Sequence, residues 1–385
     1  MKNILNCTGH EIKLPNIIKS DAAYLVDDAG KRYLDLESGV WCAALGHNNS
    51  AINSAIEKQV QIISHVGFCY SNDIVDDAAA SILSIAGLRG GKCVFLCSGS
   101  EGIELARQVC KELTKKTTTL CLHDAYLGSY SSVLNRETGW FIFDWRDCTS
   151  CPEIETCDIN CPKFSNIPDN ISEFVFEPGS ASGFVRFPPA SMIKNLATIV
   201  KAQGGKIIIN EVTTGIGRTG KWFGHNHYTI NPDFIAIGKG IGNGYPVSVL
   251  AIAKDTVREV EGSNFKYMQS HQNDPLGAAV AKEVIRQLTD EDLVTRASEL
   301  GIKFLSALQA LTESPYITEV RGRGMMFAVE LSNAEVGDEI YNQLLEKGYI
   351  VCNRAGMFRI DPPLIIKEAD FYNFVNTFRS ILTNT

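Results

Sequence analysis

The chain has 385 residues, beyond the length at which a single core keeps growing, so two domains are expected. Hydrophobic residues make up 45% and charged residues 21%, the balance of an ordinary soluble globular protein. A net charge of −8 argues against nucleic acid or an anionic membrane surface as the main partner. The opening stretch MKNILNCTGHEIKLP lacks the apolar core of a signal peptide. Nowhere do apolar residues run on for the roughly 18 positions a spanning helix needs, so a cytoplasmic address is expected. Twelve cysteines spread over this length do not make a disulfide scaffold, and most are expected to be reduced, buried fillers.

No internal repeat or low-complexity linker interrupts the chain. Residues 1–40 read as irregular structure with short strands, Ala23–Val26 and Arg32–Leu36 flanking the turn Asp27-Asp28-Ala29-Gly30 like a hairpin. Apolar residues at 52, 55, 56, 60, 62 and 63 give Ser50–Val66 a helical spacing. Lys92–Cys97 reads as a buried strand, after which Ser98-Gly99-Ser100-Glu101 opens a helix to about Leu113. Thr118–Leu122 and Phe174–Phe176 are further strands, and Ile193–Gln203 is helical. Lys206–Ile209 ends at Asn210-Glu211, and Asp233–Ile237 ends just before Lys239 and a glycine-rich loop. Short apolar runs of this kind suit strands buried on both faces of a mainly parallel sheet. Ala278–Leu288, Leu293–Leu311, Val336–Lys347 and Ala369–Leu382 read as helices, and Gly324–Leu331 as a strand. The pattern predicts a large α/β domain over 45–275. A smaller α+β domain is expected from 276–385, completed by 1–44.

Two groups carry chemistry. Lys239 follows a buried strand in a loop that lets another group approach closely, which is what an imine-forming lysine needs; a surface lysine in a flexible loop is the other reading. Ser98-Gly99-Ser100, between strand and helix, offers backbone N–H groups and hydroxyls to a phosphate, although serine is also a common helix cap. Together they suggest a phosphorylated cofactor held at one end and joined to lysine at the other.

The chain resembles the class III (subgroup II) aminotransferases of pyridoxal-phosphate fold type I, the group of ornithine, acetylornithine and ω-amino-acid aminotransferases. The resemblance runs through Gly30-Lys31-Arg32-Tyr33-Leu34-Asp35, Ser38-Gly39-Val40-Trp41, Leu45-Gly46-His47, Ser98-Gly99-Ser100-Glu101, Tyr126-Leu127-Gly128 and Glu177-Pro178. It continues over Gly205–Ile252 and ends with Arg321-Gly322-Arg323-Gly324 and Arg359-Ile360-Asp361-Pro362-Pro363-Leu364. It implies transamination between an amino acid or amine and a keto acid or aldehyde, with pyridoxal 5′-phosphate on Lys239. Gly99 and Ser100 would hold the phosphate, and Ser270 would reach the phosphate of the neighbouring subunit in a homodimer with shared sites. Tyr126 and Val212 would pack the two ring faces, with Glu177 nearby. Thr213 would reach the phenolic oxygen, Trp41 would line the amine pocket and Arg359 would grip the substrate carboxylate.

Three departures stand out. Asn210 takes the place of the aspartate that keeps the pyridine nitrogen protonated. That weakens the electron sink and raises another reaction at Cα or Cβ (elimination, racemisation, decarboxylation) as the alternative. Ser182 replaces a glutamate that pairs with the carboxylate-binding arginine in ornithine-type enzymes, while Leu127 and Thr213 replace a frequent histidine and glutamine. The third departure is Cys148, Cys151, Cys157 and Cys161, a C-x2-C-x5-C-x3-C spacing that could chelate zinc, hold an iron–sulfur cluster, form a redox pair or have no role. His47 is expected to be structural, Glu177 and Glu211 to organise hydrogen bonds around the cofactor, and His225, His227 and His271 show no metal-ligand spacing.

Overall fold

The computed structural model describes residues 3–8, 10–14, 16–180 and 184–384. Near the amino end, β1 (Ile17–Asp21), β2 (Tyr24–Asp27) and β3 (Arg32–Asp35) form an antiparallel meander. The turn Asp27–Gly30 is tied by the Asp27 carboxylate, which accepts from the Ala29 and Lys31 N–H groups.

The central sheet holds β4 (Lys92–Leu96), β5 (Thr118–Leu122), β6 (Trp140–Phe143), β7 (Ile171–Phe176), β8 (Lys206–Asn210), β9 (Phe234–Ile237) and β10 (Ser248–Ile252). Their order is β4-β10-β9-β8-β7-β5-β6. The pairs from β9 to β6 are parallel, and β10 alone runs antiparallel to both its neighbours. The carboxyl ends of β4, β5, β7, β8 and β9 therefore lie along one edge. Every residue of β7 and β9 is buried, as continuous apolar runs require. One face of the sheet packs on the helices Gly99–Thr114 and Ala190–Ala202. The other face joins a continuous core with the helices Pro275–Asp290 and Leu293–Gln309 and the carboxyl-terminal helix Glu368–Asn384.

A third sheet is built from β11 (Ile317–Arg323), β12 (Met326–Leu331), β14 (Cys352–Arg354) and β15 (Met357–Ile360), all antiparallel. Between them β13 (Tyr349–Ile350) pairs in parallel with β3, so the two ends of the chain share a sheet. Among the described residues no helix is long and apolar enough to cross a membrane.

The helix from Ser50 stops at Ile62 rather than Val66. Ile63 is extended, its N–H closes on Gln59 O, and Gln59 Nε2 donates to the Ile63 carbonyl, so the last turn is satisfied there. The helices Asp73–Ile85 and Lys254–Glu261 and the strands β6, β11, β14 and β15 were not expected from the sequence pattern.

Candidate active site

At the shared carboxyl edge lies a cavity of about 390 Å3. The loops after β4, β5, β7, β8 and β9 supply its lining, among them Ser98, Ser100, Tyr126, Glu177, Asn210, Thr213 and Lys239. This is where ligands sit in open α/β sheets. Ser98 caps the helix Gly99–Thr114 by accepting from Glu101 N, and the Glu101 carboxylate reaches back to the Cys97 and Ser98 N–H groups. That box aims the first turn at the cavity. Gly99 is required by packing, because a Cβ there would lie 2.4 Å from Val212 Cγ2. Ser100 Oγ accepts from Ser129 N at 3.1 Å.

Lys239 follows β9 with φ of 47°, a left-handed conformation that costs a non-glycine residue about 1–2 kcal/mol. Its Nζ faces the Trp41 ring, 5.2 Å from the centroid. Burial pushes the ammonium below the ordinary lysine range, with Arg359 adding to the effect and Cys42 and Glu177 opposing it. A lysine readied to lose its proton is the form that attacks a carbonyl.

Asn210 closes β8 and is buried against the wall. Its Nδ2 donates to the Tyr126 carbonyl at 2.8 Å and its Oδ1 accepts from Val212 N at 3.2 Å. Glu177 Oε2 accepts from Tyr126 N at 2.9 Å. The Tyr126 segment is thus held by two side chains, while the residue stays 39% exposed and lines the cavity. Thr213 Oγ1 is buried on the same wall without a hydrogen-bond partner among the described residues, so a ligand acceptor or donor fits there. Glu211 accepts from Gly224 N, His225 N, His225 Nδ1 and Thr214 Oγ1, which makes it an organiser of the following loop.

Ser38, Gly39, Val40 and Trp41 all have φ between 50° and 65°, one left-handed turn of four residues. It is over-determined by Gly39 N donating to Asp35 Oδ2, Trp41 N to Glu37 O and Ala43 N to Ser38 O. The turn drives the Trp41 ring into the interior, where the Arg359 guanidinium stacks on it at 3.6 Å. Trp41 therefore touches both cations. Arg359 is buried, its Nε 2.6 Å from Asp361 Oδ2 and one Nη 3.4 Å from Glu37 Oε1. Neither Trp41 nor Arg359 lines the cavity itself, so the expected grip on a substrate carboxylate is not preformed.

Sequence reading missed Cys42, Cys97 and Tyr245 in the lining, and Glu37, Asp361 and Arg218 behind it. Asp361 was legible in principle, since residues two apart in extended chain share a face. Arg218 is fully enclosed and donates to the Met325 and Pro362 carbonyls; burial lowers its pKa to about 10. His47 pairs with Asp35 at 2.7 Å, the structural part expected of it. Ser270 is exposed and outside this cavity. Ser182 lies outside the described residues. Cys148, Cys151, Cys157 and Cys161 are partly buried and unbridged. Among the described residues the three-ligand cluster within 4.8 Å is His65, His271 and Asp274; the four cysteines do not form such a cluster, although Cys148 and Cys157 each interact with Cys161.

The cavity thus offers a deprotonation-prone lysine, a helix start and an unpartnered hydroxyl, which fits a phosphorylated aldehyde cofactor. The family described as Aminotransferase class-III matches residues 8–138 and 150–382. The acetylornithine aminotransferase of Mycobacterium tuberculosis is 29% identical over 381 residues, covering 95% of this chain and 91% of its own. A [LysW]-aminoadipate semialdehyde/glutamate semialdehyde transaminase of Sulfolobus acidocaldarius is 26% identical, covering 94% and 93%. Among solved structures, a Bacillus anthracis aminotransferase superposes with a TM-score of 0.90 at 23% identity, covering 96% and 93%. An amine transaminase from an uncultivated Pseudomonas species, in its pyridoxal-phosphate-bound form, gives 0.91 at 21%, covering 100% and 99%. These likenesses confirm the fold, and the alternative reaction raised by Asn210 gains no support from them. The chain belongs to the class III aminotransferases, enzymes of pyridoxal-phosphate-dependent transamination.

Proposed function

We propose that Lys239 is the residue that joins the cofactor and then carries the proton between the substrate carbon and the cofactor. The observation that carries this is its burial, with a lowered pKa, in the cavity that also receives Ser98–Ser100 at the start of a helix. Bound there, pyridoxal phosphate supplies an electron sink for the amine-bearing carbon. Gly99 and Ser100 would hold its phosphate, Tyr126 and Val212 would confine its ring, and Asn210 and Thr213 would offer it hydrogen-bonding groups from the same wall. Glu177 keeps Tyr126 in place. The reaction moves an amino group from an amine or amino acid to a keto acid or aldehyde, with Trp41 beside Lys239 behind the cavity. Arg359 binds a substrate carboxylate once Glu37 and Trp41 give way.

The working unit in this reading is a homodimer. Ser270 supports it, being exposed and absent from the lining of its own chain's cavity. The cysteine segment has no part in this chemistry.

The test uses holoenzyme with a donor and no acceptor, followed by a keto acid. One oxo product per site is expected first, then transfer of the amino group to the keto acid. Borohydride treatment should fix the cofactor on the peptide containing Lys239. Lys239→Ala should lower turnover by at least about 10²–10⁴-fold, the usual share of a general acid–base. Unchanged turnover, or fixation on another peptide, would remove Lys239 from this part.

A further inference from the structure

We propose that His65, His271 and Asp274 form a binding site for a divalent transition-metal ion of the Zn²⁺ class, apart from the catalytic cavity. The two histidines come from distant parts of the chain. His65 lies between the helices Ser50–Ile62 and Asp73–Ile85, and His271 in the turn before the helix Pro275–Asp290. One ring nitrogen of each histidine and an oxygen of the Asp274 carboxylate all lie within 4.8 Å of one another. His271 Nδ1 is 2.6 Å from Asp274 Oδ2, and His65 Nδ1 contacts Oδ1 of the same carboxylate. The rings stand 5.0 Å apart, tilted by 54°.

A second observation separates this from ordinary helix capping. Asp274 occupies the cap of a 16-residue helix, with Pro275 in its first turn, yet its side chain accepts no hydrogen bond from that turn. Both oxygens are instead turned to the imidazoles. Two imidazole nitrogens and one carboxylate oxygen suit Zn²⁺, with water completing the shell. In the single chain both histidines leave room for the ion and that water, at 44% and 59% side-chain accessibility, and in the homodimer proposed above the site would border the partner subunit. On binding, each neutral ring would shift its proton to the Nε2 atom, leaving Nδ1 free to coordinate.

The site fastens three helices where they pack together and pins the turn that contains Ser270. His271 and Asp274 also border a second cavity of about 190 Å3, which shares Cys97, Tyr245, Pro246 and Val247 with the catalytic one. A bound ion would therefore stiffen the outer wall of the active site.

Crystals of the holoenzyme soaked in Zn²⁺ provide the direct test. An anomalous peak is expected about 2.0–2.2 Å from both Nδ1 atoms and an Asp274 oxygen. Peaks at cysteines with none between these three side chains would overturn the proposal. In solution, Zn²⁺ titration of chelator-treated holoenzyme should lose one equivalent in His65→Ala and in His271→Ala. The same equivalent should persist when Cys148, Cys151, Cys157 and Cys161 are replaced by serine. Equal stoichiometry in the parent and both histidine variants would likewise overturn it.

Discussion

Arg359 Nε lies 2.6 Å from Asp361 Oδ2, and both side chains are buried. Burial pushes the Asp361 carboxyl up, while the Arg359 and Arg218 guanidiniums pull it down. A guanidinium already held by a carboxylate and stacked on Trp41 has part of its fork occupied before any substrate arrives. Asp361→Asn keeps an acceptor but removes the charge. It should raise kcat/KM for carboxylate-bearing acceptors over uncharged aldehydes by about tenfold, equivalent to about 1.4 kcal/mol. A ratio unchanged from the parent would show that Asp361 does not restrain Arg359.

Asn210 presents an amide N–H to the Tyr126 carbonyl, a contact that an ionised aspartate cannot make. Asn210→Asp would set carboxylate against carbonyl at a buried site. The cofactor-free variant should lose about 1–3 kcal/mol of stability, the cost of leaving such groups unpaired. Urea titration of the cofactor-free forms measures this, and equal midpoints and slopes would refute it.

The closeness of Gly99 to Val212 predicts a paired result. Gly99→Ala overpacks the contact and should cost about 1–3 kcal/mol, weakening pyridoxal-phosphate retention in equilibrium dialysis. Adding Val212→Ala removes the atoms in the way and should recover most of the loss. Failure to recover would mean that Gly99 is needed for its backbone rather than for space.

His227 supplies a pH dependence. Burial, with Arg323 and Lys221 nearby, lowers its pKa from 6.5 to about 4. The unfolded chain therefore takes up this proton first as pH falls, so stability drops between about pH 6.5 and 4. Above that window the group is neutral in both states and contributes no slope. His227→Gln should flatten the Tm profile across the same interval, and a profile parallel to that of the parent would contradict the assignment.

Much of the frame could be read from local pattern. Continuous apolar runs marked β7, β8 and β9, and the polar residues ending them, Glu177, Asn210 and Lys239, meet in one cavity because parallel strands finish along one edge. The turn Ser38–Trp41 could not be read this way, because nothing in valine or tryptophan favours a left-handed backbone. Hydrogen bonds reaching four residues back to Asp35 and Glu37, and the Ser38 hydroxyl donating to the distant Asp361 carbonyl, hold it. The pairing of His65 with Asp274 spans 209 positions, and that of Glu37 with Arg359 spans 322. Such meetings leave no periodicity behind.

The lone reversed strand β10 has a consequence for how the enzyme is made. It lies between β4 and the rest of the sheet, and Ser248 Oγ donates to the Ser98 carbonyl across 150 positions. A chain leaving the ribosome at 5–20 residues per second must wait roughly 8–30 s before β4 finds its neighbour. During that interval the strand edge of β4 is unpaired, and the helix start of the catalytic cavity has no sheet to anchor it. Competence for cofactor thus arrives late in synthesis, after Ile252 has emerged, and truncated chains that already contain Lys239 would lack the place to use it.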